Sequence, residues 1–528
     1  MNRRQFVSAT AATLTAGAVS PVNVFDLGIA SGDPKSNGIV LWTRVNPSTY
    51  VGGTTQWTIA TDQAMANVIV TGPAEVSPAS DYTVKVNVLS EVLQPFRVYY
   101  YQFLYNGVKS RVGRFKTLPL QRGFIARLKL GFMSCQDYTN GYYTAMAGMA
   151  KEDLDFVVHL GDYIYESTGD PVFQANQVRT IPTLPSGGNV AANLDDFRYL
   201  YRTYRSDLNL QLLHESFAFI AVWDDHEFAN DGYQDFHPDN NPTPEIPTPA
   251  LRAAANQAWT EYMPAAVNLA ALQLYRSFSF ANLADLVVTD ERLYRDGPPC
   301  GLDSANRYLT TACANVDAAG RTMFGAAQKQ WFVQKMSSST AVWKVWANEM
   351  MCMPLKAKND LNGNNDLYLT LDAWDGYRSE RTAVLSALAG VKNMVAVTGD
   401  IHSFGAGYLQ ADYEKIGQPR LGVEFVGGSI SSANFAETLL ASGGDPFSAA
   451  VPKAKLAVTP IGLLARVMNP HLDFFNSAVH GYGVLELTPL EATCTLRQVS
   501  TVKSPTGFMR DLAKFVVKRD EVNLLRVL

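Results

Sequence analysis

The feature that most constrains this chain is a set of short, almost wholly apolar runs, each stopping on acid, thiol or imidazole side chains. "RLKLGFMSC", "LDFVVHLGD", "FAFIAVWDD", "ADLVVTDER", "AVWKVWANE" and "NMVAVTGDIH" all fall after residue 125. Runs apolar at nearly every position, rather than at alternate ones, are strands buried on both faces, typically parallel strands covered by helices. Between them lie segments with helical apolar spacing: "LDDFRYLYRTYRS", "PALRAAANQAWTEYM" and "GAAQKQWFVQKMSSS". Residues 126–505 are therefore expected to form a layered α/β domain. In open α/β sheets the site lies beyond the carboxyl ends of the strands, so the residues that close these runs are the first candidates.

Residues 22–122 read differently. "GIVLWTRV", "TTQWTIAT", "YTVKVNVL" and "YYYQFLY" are short strands with turn residues between them. "LQPFRVYYYQF" resembles the tyrosine-corner segment of fibronectin type III-like sandwiches. The expected fold is thus α/β, with an N-terminal immunoglobulin- or fibronectin-like β-sandwich ahead of the layered domain. Residues 507–528, "GFMRDLAKFVVKRDEVNLLRVL", read as an amphipathic C-terminal helix, either docked on the sheet or lying over the cleft as a lid. At the other end, "MNRRQFVSATAATLTAGAVSP" carries Arg3 and Arg4, then Phe6, then a weakly apolar, small-residue exit. Residues 1–20 resemble a twin-arginine signal peptide, which implies export through the twin-arginine translocase to a periplasmic or extracellular place.

Composition narrows the partners. The 528 residues are 47% hydrophobic, ample for several domains at about 150 residues each. With 44 basic and 49 acidic residues the net charge is −5, which gives no basic patch for nucleic acid. Beyond the N-terminus no run reaches the roughly 20 apolar residues needed to span a bilayer. Cys300 and Cys313 flank a short loop and can bridge in an oxidising compartment, whereas Cys352 and Cys494 read as core thiols.

Four strand ends carry metal-binding side chains: Cys135; Asp162 with Tyr165; Asp224, Asp225 and His226; Asp400 with His402. Thiolate, phenolate, carboxylate and imidazole together are not a structural zinc set. Phenolate and thiolate donors favour a trivalent iron, and the extra carboxylate oxygens a harder divalent ion such as calcium. Two cations sharing one carboxylate clamp a phosphoryl group between them.

The motifs "SCQ", "DFVVHLGDYIYE", "VWDDHE", "TGDIHSF" and the weaker "EFVGGSISS" resemble those of PhoD-type alkaline phosphatases, in the metallophosphoesterase clan that also holds the purple acid phosphatases. The resemblance implies an exported phosphoesterase acting on small phosphate monoesters and diesters. It implies iron(III) held by Cys135, Asp162, Tyr165 and His402, with Asp162 bridging to calcium held by Asp225 and Asp400. His226 would face the phosphate as proton or hydrogen-bond donor, and Asn230 would touch a metal or a phosphate oxygen. Which of Asp224 and Asp225 points inward stays open, and a second calcium has no residues assigned to it. Cys135-Gln136-Asp137 stands where the clan usually has Asp-x-His, which argues against a dizinc or di-iron centre.

The sequence leaves two other functions open. One is a phospholipase D-like phosphodiesterase acting on lipid or teichoic-acid headgroups. The other is a non-catalytic surface- or polymer-binding protein with structural metals. His159 reads as a core histidine, and His214, His237 and His471 as surface or loop residues. Arg252 and Arg292 read as salt-bridge partners rather than phosphate ligands.

Overall fold

The computed structural model describes residues 23–171, 174, 176–358, 366–415, 417–441 and 465–528. The proposed signal segment, residues 1–20, lies outside them. The apolar runs become strands as expected, but they divide between two sheets. Leu128–Met133, Phe156–Leu160 and Ala218–Val222 are adjacent parallel strands in a ten-stranded sheet. Ala284–Val288, Trp343–Asn348, Met394–Thr398 and Arg420–Gly427 are the parallel centre of a seven-stranded sheet. The sheets share a core, in which Phe425 and Phe474 of the smaller pack on Phe515 of the larger, with ring centroids 5.9 and 5.8 Å apart. The layered α/β domain thus has two layers, each of which contributes strand ends to the site.

The predicted helices are present as Leu194–Arg205, Pro249–Tyr262 and Gly325–Ser338. Asn193 caps the first of these, its side-chain oxygen accepting the Asp196 N–H. The Cys300–Cys313 disulfide is formed, and Cys135, Cys352 and Cys494 are buried free thiols.

The N-terminal strands do form a sandwich, and Tyr99 makes the tyrosine-corner bond by accepting the Gln94 N–H at 2.7 Å. The sandwich is continuous with the layered domain rather than separate from it. Ile29–Lys35, Gly38–Arg44 and Thr83–Leu89 extend the ten-stranded sheet, because Ile29–Lys35 pairs in parallel with Ala218–Val222. Gly32 makes this approach possible: a Cβ there would stand 2.7 Å from the Phe219 carbonyl and 2.2 Å from that of Pro264.

The C-terminal helix is a correction. Met509–Lys518 is a β-strand paired antiparallel with Glu491–Val499, Cys494 opposite Phe515. Ala513, Phe515 and Val517 are buried while Lys514, Val516 and Lys518 are not, a period of two that overrides the helical spacing read across the longer stretch. The segment sits far along the larger sheet and lines no part of the candidate site, so it is no lid.

Candidate active site

In all four site strands the first candidate residue stands two positions past the strand's last residue: Cys135 after Met133, Asp162 after Leu160, Asp224 after Val222, Asp400 after Thr398. Cys135, Asp162, Asp400 and His402 all have left-handed backbone, with φ of 59°, 56°, 62° and 51°. Such a residue turns the chain sharply, costs of order 1–3 kcal/mol, and persists where the surroundings over-determine it, as they do at functional sites. Gly161 brings two strand ends together, since a Cβ there would meet the Asp224 Cβ at 2.4 Å. The side chain that ties them is Glu227 of "VWDDHE". Its carboxylate accepts the backbone N–H of Asp162 (2.9 Å), Tyr163 (2.7 Å) and Asp224 (2.9 Å).

The first donor group draws on three strand ends. Ligand atoms of Cys135, Asp162 and His402 lie within 4.8 Å of one another. The Tyr165 hydroxyl lies 3.0 Å from Asp162 Oδ2 and 3.1 Å from His402 Nε2. His402 Nδ1 is 2.7 Å from the Ala433 carbonyl and donates to it, which turns the Nε2 lone pair toward the other donors.

A second group, Asp162, Asp225 and His226, shares Asp162 with the first, and a third, Asp224, Asp225 and Asp400, shares Asp225 with the second. Arg292 underlies the third. Wholly buried, its guanidinium reaches Asp224 (2.5 Å), Asp372 (2.6 Å), Asp225 and Asp400 (both 3.4 Å). The salt-bridge reading of Arg292 therefore holds. Arg252 instead stacks on Trp223 and Phe228, at 5.0 and 4.7 Å.

These groups open on a cavity of about 510 Å³. Asp162, Asp225, His226, Asn230, Asp400 and His402 line it, together with Leu309, Leu369 and Ile401. Asp225 faces the cavity, whereas Asp224 is turned to Arg292 beneath it. His226 Nδ1 is 2.7 Å from Glu166, whose other oxygen accepts the Asn230 N–H at 2.9 Å. The Asn230 amide donates to Asp239 at 2.5 Å. Cys135 and Tyr165 are buried and do not line the cavity.

Sequence reasoning missed Glu166, Glu227, Arg292 and Asp372 as parts of the site. The first two stand inside quoted motifs, and their burial amid acids was the available signal. The remaining histidines divide. His159 is a core residue, 3.2 Å from Gln136 Oε1. His237 and His471 lie in loops as expected but are buried, and His214 is buried in the helix Leu208–Ser216, 2.8 Å from the Tyr163 hydroxyl.

Burial dominates the titration of the site. It raises the Cys135 thiol and the Tyr165 phenol well above their ordinary values, with the Asp162 charge adding to both. It pushes Asp400 up to about 7, against the opposing pull of Arg292. At Asp162 burial is outweighed by His226, His402 and Arg292, and the carboxyl is held below its usual range. Burial also disfavours His226 as a cation, but Glu166, Asp225 and Asp162 outweigh it and raise its pKa well above the ordinary value. A site this rich in buried acids has one strong route to losing its protons, the arrival of a cation.

Buried donors converging at the strand ends of two facing sheets, beside a cavity walled in part by apolar residues, define an enzyme site of the metal-binding type. Comparison with known proteins gives the chemistry. The sequence profile of PhoD-like phosphatases matches residues 130–496, and that of the PhoD-like phosphatase N-terminal domain matches residues 10–119. The chain is 35% identical to alkaline phosphatase D of Bacillus subtilis (strain 168) over 517 residues, 95% of this chain and 82% of that protein. It superposes on the solved structure of PhoD with a TM-score of 0.84 at 33% identity, covering 97% of this chain and 94% of the other. The chain belongs to the PhoD-like phosphatase family and is a phosphoric ester hydrolase. A purely non-catalytic binding role is thereby set aside. Among the described residues no helix is long and apolar enough to cross a membrane.

Proposed function

We propose that this hydrolase cleaves small phosphate monoesters and diesters at an iron(III)–calcium centre, after export by the twin-arginine route. The observation that carries the reading is that the donor groups are chained: Asp162 belongs to two and Asp225 to two. The donor chemistry fits the ions. Cys135, Tyr165, Asp162 and His402 would hold iron(III), and Asp162, Asp225 and Asp400 would offer carboxylate oxygens to calcium. Such cations, when bound, neutralise charge on a phosphoryl group and acidify a bound water.

The rest of the work falls to the chain itself. Glu166 holds His226 by Nδ1, so a proton passed to a leaving oxygen comes from Nε2. The same carboxylate grips the Asn230 backbone, which fixes the amide-bearing wall relative to His226. Residues Arg3 and Arg4, with the small-residue exit after them, support export.

Elemental analysis of natively exported protein tests the centre. Iron and calcium should be present in stoichiometric amounts, and chelation should abolish hydrolysis of a chromogenic diester. Full activity from protein containing neither ion would sink the reading. Replacing Arg3 and Arg4 by lysine should leave the protein in the cytoplasm.

A further inference from the structure

The motif "EFVGGSISS" supplies no member of the donor groups, yet its loop touches three of the four donors assigned to iron. The Ser431 and Ser432 N–H groups donate to the Cys135 carbonyl at 3.3 and 3.1 Å. The Ala433 carbonyl accepts from His402 Nδ1 at 2.7 Å. The Ser432 hydroxyl lies 2.7 Å from the Tyr165 hydroxyl.

The last contact has a defined direction. A serine hydroxyl has one hydrogen to donate and lone pairs to accept with. Ser432 Oγ accepts the Asp137 N–H at 2.9 Å, and its hydrogen is directed at Tyr165. The phenol in turn has Asp162 Oδ2 and His402 Nε2 as acceptors for its own proton. Those two atoms are themselves donors of the first group, so a cation seated there takes the place of the phenol proton. The Ser432 hydrogen bond survives that exchange and becomes charge-assisted, since it then ends on a phenolate.

The serine is held for this task. It is 1% exposed, and its carbonyl accepts the Ser429 hydroxyl at 2.7 Å. Ser429 Oγ lies 3.0 Å from His480 Nδ1, and His480 Nε2 lies 3.1 Å from Glu437. A hydroxyl locked by a buried network can set the properties of the atom it touches.

We infer that Ser432 is a positioning residue that donates a hydrogen bond to the Tyr165 phenolate and thereby tunes its electron donation to iron(III). The inference rests on the reading that Tyr165 holds the iron. A hydrogen-bonded phenolate is the poorer electron donor, so its charge transfer to iron needs more energy.

Iron-loaded wild type, Ser432→Ala and Ser432→Thr, each brought to full occupancy with excess iron(III), provide the test through their visible absorption. Ser432→Ala should shift the phenolate-to-iron band to longer wavelength and weaken iron affinity by about 10–100-fold. Ser432→Thr, which keeps the hydroxyl, should return the band to the wild-type position. In wild type alone, the vibrational C–O mode of the iron-bound tyrosinate should shift between water and D2O, a readout that needs no variant to fold. An unmoved Ser432→Ala band at full occupancy, or a D2O-insensitive mode, overturns the role of Ser432. Absence of the band from iron-loaded wild type overturns Tyr165 as a ligand, and the inference with it, so the two failures are distinguishable.

Discussion

The two halves of the site solve one electrostatic problem in different ways. Around Asp224, Asp225, Asp372 and Asp400 the protein supplies its own cation, the wholly buried Arg292 guanidinium. Around Cys135, Asp162 and Tyr165 the opposing charge comes from the His226 and His402 imidazoles and from Arg292, and it acts on Asp162. There the thiol and phenol are held protonated by burial, with the Asp162 charge adding to it. The acidic half is therefore organised before any ion arrives, while the thiol–phenol half needs an ion to ionise. Asp162, lowered by its imidazole neighbours yet shared between groups, joins the two halves.

The largest blow to this division is Asp162→Ala. It removes the joint and should cost about 10³-fold in kcat/KM, the rate equivalent of ~4 kcal/mol of lost charge stabilisation. Near-wild-type turnover of a chromogenic diester would mean the halves do not act together. Arg292→Met comes next. It takes the guanidinium from buried Asp224, Asp225 and Asp400, while Asp372 keeps Arg295 at 2.6 Å, so metal-free protein should lose about 3–5 kcal/mol in denaturant unfolding. The loss should shrink when metal is restored. An equal loss with and without chelator would show that Arg292 and the ions do not neutralise the same charges. Glu166→Gln probes a supporting carboxylate. Loss of the charge that holds His226 should lower kcat by about 10²-fold. It should also move the alkaline limb of the pH profile to lower pH, because Glu166 is among the groups that raise His226.

At neutral pH the last change has the smallest effect, and it calibrates acid sensitivity outside the site. Burial pushes His471 down to about 3, its Nε2 bonded to the Pro354 carbonyl at 2.9 Å. Between about pH 6.5 and 3 the unfolded chain binds a proton at this position that the folded chain does not, so stability falls as pH falls through that window. The slope from this one group is about 1.4 kcal/mol per pH unit, and His471→Gln should remove it from a pH series of unfolding midpoints.

What could be read from the sequence depends on the range of the interactions. Cys135, Asp162, Asp225 and Asp400 were legible because each closes an apolar run, and a buried strand that ends in an acid or thiol advertises an unmet partner. The inward choice between Asp224 and Asp225 was not legible. It depends on Arg292, which lies far along the chain and on the other sheet's side of the site. The Met509–Lys518 strand was misread because its period-two burial spans only a few residues within a longer stretch of helical spacing. Its true partner, Glu491–Val499, is a tertiary fact. The fused sandwich was hidden for the same reason, as strand neighbours from distant sequence regions leave no local trace.

That fusion limits how the molecule can be cut. Ala218–Val222, which delivers Asp225 to the cavity and Asp224 to Arg292 beneath it, has Ile29–Lys35 as one of its two flanking strands. Removing the amino-terminal region would leave a raw hydrogen-bonding edge on the strand that leads to the cavity, open to pairing with any extended chain. A ribosome that has finished only the first two hundred residues has not yet made Ala218–Val222, the partner on which the opening strand Ile29–Lys35 lies.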